Sequence, residues 1–198
     1  MKIIIIGASG TLGRKVTEAL AKDHEIVKAG SKSGDIHVDI TSAASIEAMY
    51  KQVGAFDAVV STAGAGHFGP LENITEKEFR LGLDNKLMGQ VNLVLIGQHY
   101  IKPKGSFTLT SGILSEDPVR YSVNLAAVNG AINSFVLAAS YELVNDVRIN
   151  AISPGVVEDS PNFFPFFPGH TPVTMDKVVA GYLKSVLGEI NGQVVKIY

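Results

Sequence analysis

The amino-acid sequence predicts an α/β fold: a single-domain, doubly wound parallel sheet of about seven strands with helices on both faces. Two observations carry this expectation. Short apolar runs alternate with amphipathic helical patterns through the 198 residues, and the first run leads through a glycine-rich turn straight into a helix. A third observation bounds it. With 46% apolar residues, no Cys and a formal net charge of −2, the chain has enough apolar content for one domain over residues 1–198 and no means of building disulfides or zinc–thiolate sites.

The elements follow in order. Lys2-Ile3-Ile4-Ile5-Ile6 reads as a buried strand, and Leu12, Val16 and Leu20 give the next segment one apolar helical face. Residues 25–29 and 36–38 read as short strands. Ile46, Met49, Tyr50 and Val53 mark a second amphipathic helix, which Gly54 ends. Residues 56–61 form the next strand. Thr75 and Glu78 have capping-box spacing and open a helical region that carries Phe79, Leu83 and Leu87. Strands are expected at 105–110, 147–152 and 193–197. Between the first two of these, residues 122–143 are apolar or small on nearly every face, broken by Asn124, Asn129 and Asn133. A helix of that kind is buried on more than one side, within the monomer or against a second copy. Both remain open from the sequence.

Composition excludes several classes. The balanced charge leaves no basic face for nucleic acid. The opening apolar run stops at Ile6, short of a secretion signal, and no stretch approaches the ~20 apolar residues of a membrane span. With no Cys in the chain, a cytoplasmic location is expected. His24, His37, His99 and His170 lack ligand spacing, so no metal is expected.

The glycine turn points to chemistry. After a buried strand and before a helix, Gly7 permits a tight turn, Gly10 clears a Cβ from the path of a phosphate, and Gly13 lets helix and strand pack closely. The free N–H groups of that helix end then face an anion. The expected contacts to a dinucleotide are Gly7, Ser9, Gly10, Thr11, Leu12 and Gly13. Sites for NAD(H) place a carboxylate roughly 20 residues beyond the turn, on the ribose hydroxyls. Residues 30–34 here read Gly-Ser-Lys-Ser-Gly, and Ser31 with Lys32 suits a 2′-phosphate. NADP(H) is therefore favoured over NAD(H).

Further segments fall in a particular order: Ser61-Thr62-Ala63-Gly64, then Asn85, then Ser111 and Tyr121, then Ser153-Pro154-Gly155. Together with the glycine turn, this set resembles the short-chain dehydrogenase/reductase family over essentially the whole chain. The resemblance implies a Rossmann-type fold and hydride transfer between a nicotinamide and a carbonyl or alcohol. It places Ala63, Gly64, Pro154 and Gly155 beside the cofactor, and Asp39 near the adenine, although Asp39 is equally placed to cap the helix that contains Ile46. It makes Tyr121 the proton donor, Ser111 the hydrogen-bonding partner of the substrate oxygen, and Asn85 part of a proton relay. A short substrate loop is implied near residues 156–174, where four Phe residues suit an apolar substrate or a second copy of the chain.

One departure stands out. The family motif is Tyr-x-x-x-Lys, whereas this chain reads Tyr121-Ser122-Val123-Asn124-Leu125. A phenol with its ordinary pKa near ~10 is a weak acid–base group at neutral pH, and an ammonium four residues on along a helix would favour its anion. Lys86 and Arg120 are basic residues elsewhere in the sequence, and neither has the spacing to replace it. The rival expectation is a catalytically weak or inactive NADP(H)-binding sensor or scaffold.

Overall fold

The computed structural model covers residues 1–198 and contains seven strands, β1 (Lys2–Ile6), β2 (Glu25–Gly30), β3 (Ile36–His37), β4 (Phe56–Ser61), β5 (Ile101–Thr110), β6 (Arg148–Pro154) and β7 (Val194–Ile197). Six α-helices join them: α1 (Thr11–Leu20), α2 (Ala43–Val53), α3 (Glu76–Leu81), α4 (Met88–Gly97), α5 (Val123–Ala139) and α6 (Met175–Leu187). The strands form one sheet in the order β3-β2-β1-β4-β5-β6-β7, and every neighbouring pair is parallel. The direction of winding reverses between β1 and β4. In a sheet wound this way a crevice opens at the carboxyl ends of the strands at that reversal.

The core explains the opening run of isoleucines. A central parallel strand is covered on both faces, so it needs apolar residues at successive positions. Ile3, Ile4, Ile5 and Ile6 are each at most 1% exposed. Ile4 and Ile6 pack with residues of α2, α4 and α5, while Ile3 and Ile5 pack with residues of α1 and α6. The sheet is thus covered on both sides, as a doubly wound fold requires.

Local chemistry sets the helix ends. Thr75 and Glu78 form the expected capping box at the start of α3. Gly54, with φ 71°, ends α2 as expected, but the helix begins at Ser42, whose hydroxyl accepts from the Ser45 N–H. Asp39 does not cap it; its carboxylate instead accepts from the backbone N–H and hydroxyl of Thr41, at 2.9 and 2.7 Å. The long apolar segment is helical only as α5, and the chain turns through Asn145 and Asp146, both at φ 59°. Arg148 then donates to the carbonyls of Ser185, Val186 and Ile190, satisfying the C-terminal end of α6.

Two further differences are physical. β5 begins at Ile101 instead of 105, because a break in register between the Phe56–Ile101 and Ala58–Ser106 pairs absorbs Pro103 and Lys104. Lys104 sits at φ 63° in that bulge. The helical region 76–97 is continuous, but its middle, Gly82–Leu87, is a π-helix.

Two tyrosines are wholly enclosed. The Tyr50 hydroxyl donates to the Leu93 carbonyl at 2.8 Å, and the Tyr182 hydroxyl lies 2.6 Å from that of Thr110. Burial pushes both phenols above their ordinary pKa. Above pH ~10 the unfolded chain loses these protons while the folded chain keeps them, so stability falls as pH rises. Urea unfolding between pH 8 and 11 is expected to show that fall above about pH 10. In Tyr50→Phe and in Tyr182→Phe the alkaline slope should be shallower.

Candidate active site and cofactor cleft

The turn after β1 is built by close approach. Gly7 has φ 82°, and a Cβ there would lie 3.0 Å from the Cβ and N of Ala63. A Cβ on Gly13 would overlap the Gly7 carbonyl oxygen and come within 2.7 Å of the Thr62 hydroxyl. That hydroxyl lies 3.0 and 3.1 Å from the carbonyl oxygens of Ile6 and Gly7, pinning the end of β4 to the turn. Gly10 precedes α1 without any side-chain cap, and the first turn of the helix holds no acidic residue. The helix N–H groups at Thr11 and its neighbours are left for an anion.

A cleft of about 420 Å³ runs from this turn across the end of β2, lined by Gly7, Ser9, Gly10, Ser31, Lys32, Asp39, Ala63, Gly64 and Asn85. Ser33 ties the Lys32 loop to the turn, donating to the Ser9 hydroxyl at 2.9 Å. Asp35 is turned away, because its carboxylate accepts from the Lys28 N–H at 2.9 Å and faces a neighbouring depression beside Arg14. Asp39 is the acidic residue of the cleft. Its hydrogen bonds from Thr41, the hydroxyl above all, hold its carboxyl below the usual range.

The cleft continues past Thr62, Ala63 and Gly64 into a cavity of about 260 Å³ over the ends of β5 and β6. Leu12, Lys86, Ser111, Gly112, Leu125, Asn129, Pro154 and Phe167 line it. Ser111 is 3% exposed, and its hydroxyl makes only a 3.5 Å contact with the Ile152 carbonyl. Lys86 Nζ donates to the Ser111 carbonyl at 3.1 Å. Burial lowers its pKa to about 8. Asn129 turns its Nδ2 toward the Gly112 carbonyl at 3.4 Å and leaves a buried Oδ1 without a partner. A larger open depression of about 990 Å³ lies over α3, among Thr75, Glu76, Lys77, Arg80 and Asp84, and touches the cleft only at Asn85. Its exposed charged rim offers no enclosed polar floor.

The expected catalytic residues share no hydrogen bond and do not line one cavity. Asn85 lines the cleft at the glycine turn, and its Oδ1 accepts from the Ala65 N–H at 2.7 Å. Lys86, the next residue, enters the Ser111 cavity instead. Tyr121 precedes α5 with φ 73°, and neither lines that cavity nor bonds to Ser111. Its ring meets Phe68 and Phe166 edge-on, each with centroids 6.1 Å away, and the Arg120 guanidinium stands 5.5 Å from its centre. Gly155 is also outside the lining: its N–H donates to the Ile197 carbonyl at 2.8 Å, and the residue packs against Val173. The Phe-rich segment forms a loop closed by a bridge between Val157 and Val173, with a short 3₁₀ helix at Pro161–Phe166. Phe167 reaches the cavity from it. Phe163 and Phe166 join Phe68 outside.

Asn124 holds these parts together. Wholly buried, it accepts from the His67 N–H at 2.8 Å and donates to the Phe79 carbonyl at 2.7 Å. A Cβ on Gly82 would collide with its amide. The π-helix, α5 and the loop after β4 therefore share one side chain. Lys86 and Asn129 are polar lining residues that sequence reasoning did not place at the cavity. An unbroken 3.6-residue period cannot orient Lys86 within a π-helix, and Asn129 carries no motif.

These features define a Rossmann-type α/β protein with its cleft at the topological switch point. The chain belongs to the short-chain dehydrogenase/reductase family: residues 1–163 match the family model described as enoyl-(acyl carrier protein) reductase. It is 30% identical over 197 residues to the short-chain dehydrogenase/reductase ATR9 of Stachybotrys chlorohalonatus, covering 92% of this chain and 73% of that protein. The crystal structure of protein lin1944 from Listeria innocua matches over 100% of both chains, with 46% identity and a TM-score of 0.98. A small-chain dehydrogenase solved in complex with NADPH matches 100% of this chain and 96% of its own, with 26% identity and a TM-score of 0.89. No helix is long and apolar enough to cross a membrane.

Replacing Asn124 by Ala leaves the part-buried His67 N–H and Phe79 carbonyl without their partner. The expected loss is about 1–3 kcal/mol, seen as a fall in Tm of roughly 3–10 °C in calorimetry.

Proposed function

We propose that this chain is an NADP(H)-dependent oxidoreductase acting between a nicotinamide and a small carbonyl or alcohol. The observation that carries the reading is the continuity of the cleft, from the glycine turn and Lys32 at one end to the buried hydroxyl of Ser111 at the other. The residues present fit the cofactor. Gly7, Ser9, Gly10 and Thr11 would hold its pyrophosphate against the uncapped end of α1, and Ser31 with Lys32 would take the 2′-phosphate. Arg14, in the depression on the far side of the Ser9–Ser33 bond, adds a second positive charge to that region. Ala63, Gly64 and Pro154 would border the nicotinamide half. The similar dehydrogenase in complex with NADPH supports the cofactor.

When bound, the cofactor supplies or accepts hydride; the chain supplies position, shielding and a proton. The Ser111 hydroxyl, held only by its long contact to Ile152, is available to hydrogen-bond the substrate oxygen. Phe167 closes the cavity, while Phe163 and Phe166, 46% and 38% exposed, stand where an apolar substrate would enter. Tyr121 belongs to that aromatic wall in this reading. The same proposal includes assembly of more than one copy, supported by exposed Leu95 on α4 and Leu137 on α5, two helices on one face of the sheet.

A nucleotide-binding sensor or scaffold without turnover is the second reading, and Leu125, apolar where the family carries Lys, is the observation that favours it. Fluorescence titration with NADPH and NADH is the test. NADPH should bind more tightly than NADH. Lys32→Ala should weaken NADPH roughly 10-fold by losing a charge-assisted phosphate contact, and NADH by less than about 2-fold. Binding of neither nucleotide overturns the proposal; tight NADPH binding with no turnover across a panel of carbonyls leaves the sensor.

A further inference from the structure

We propose that Lys86 is the acid–base residue of this site: its Nζ gives the proton to the substrate oxygen during carbonyl reduction and takes it back during alcohol oxidation. The inference rests on the oxidoreductase reading of the cleft and assigns the group that moves the proton there.

Position comes first. Lys86 Nζ donates to the carbonyl of Ser111, the residue whose hydroxyl faces the same cavity, at 3.1 Å. That bond engages one of the three ammonium N–H groups and leaves two for a ligand. The stem of the side chain passes Gly64, where a Cβ would stand 2.8 Å from Lys86 Cγ. A larger residue at 64 would block the approach.

Electrostatics comes second. The lining residues contributed from β4, β5, β6, α5 and the Phe-rich loop include no titratable group other than Lys86. Asp84, on the same π-helical stretch, is exposed in the depression over α3. The ammonium therefore has no carboxylate to hold it charged, and burial brings its pKa to about 8. At neutral pH it is a proton donor, and just above it is an acceptor, the range in which an acid–base group works best. Leu125 completes the case. A second ammonium in the same cavity of about 260 Å³ would repel the first. An apolar side chain there leaves Lys86 as the sole cation, while Tyr121 is held among Phe68 and Phe166.

The step balances. The carbonyl carbon accepts hydride and its two electrons from NADPH, which leaves as NADP⁺. The π-bond pair moves to oxygen, the Nζ–H bond breaks, and an O–H bond forms. The neutral amine regains its proton from water. Oxidation of the alcohol runs the same exchange backwards.

The test separates this inference from the function it rests on. In protein labelled with ¹³C at lysine Cε and free of nucleotide, the Lys86 resonance, assigned by its loss in Lys86→Arg, should titrate with a midpoint near 8. In the pH profile of kcat/KM for carbonyl reduction, wild type should lose activity above a pKa of about 8. Lys86→Met and Lys86→Arg should each lower kcat about 100- to 10,000-fold and abolish that limb, while still binding NADPH. Tyr121→Phe should keep the limb and change KM. A Lys86 resonance that titrates above pH 10, or turnover that survives in Lys86→Met and vanishes in Tyr121→Phe, overturns the inference. If wild type fails to bind NADPH, the oxidoreductase reading itself falls. Lys86→Arg and the wild-type resonance keep the test decisive should Lys86→Met not fold.

Discussion

The turn after β1 and the end of β4 lie in van der Waals contact, and this contact fixes where a ligand can enter. Gly7 touches Ala63, Gly13 touches the Gly7 carbonyl, and the Thr62 hydroxyl reaches both carbonyls that end β1. No side chain fits between them, and the start of α1 and the loop after β4 line the cleft that opens beside this contact. The contact itself depends on β1 being buried on both faces, which holds the sheet centre in register with both helical layers. Ser111 and Pro154, which line the adjoining cavity, then follow at the ends of the next two strands in the sheet order β1-β4-β5-β6.

Features dictated by local chemistry were legible in the sequence. The isoleucine run, the glycine spacing, Gly54 and the Thr75–Glu78 pair each state a backbone requirement through the residue that meets it. The choice between Ser42 and Asp39 as helix cap was not legible, because either oxygen suits an N-cap and the hydrogen bond from Thr41 decided it. The start of β5 depended on how Pro103 and Lys104 are accommodated against β4, a pairing between strands far apart in the chain.

The glycine end of the cleft could be read from spacing because its contacts lie within one strand–turn–helix unit. The end around Ser111 could not. The faces of Asn85 and Lys86 are set by a π-helix that adds residues to each turn, and no periodicity analysis contains that slip. The four-residue step from Tyr121 to position 125 presumes one helix, yet at φ 73° Tyr121 lies outside the helix that carries Leu125. Motif spacing assumes regular backbone, and both positions violate the assumption.

Lys86 and Leu125 are best understood together. A half-buried lysine with a carbonyl but no carboxylate as partner costs stability while it is charged, and an apolar residue of the same length would remove that cost. The fold nevertheless directs the ammonium inward, using the π-helix to turn it, Gly64 to admit it and Ser111 to hold it. With Lys86 on the helix between β4 and β5 and an apolar residue at 125 on α5, the cavity is lined by a single basic side chain. Leu125 lines the cavity and packs against the Ile113, Leu114 and Phe167 cluster, so the absence of a lysine there leaves an apolar wall opposite the one basic side chain that lines it.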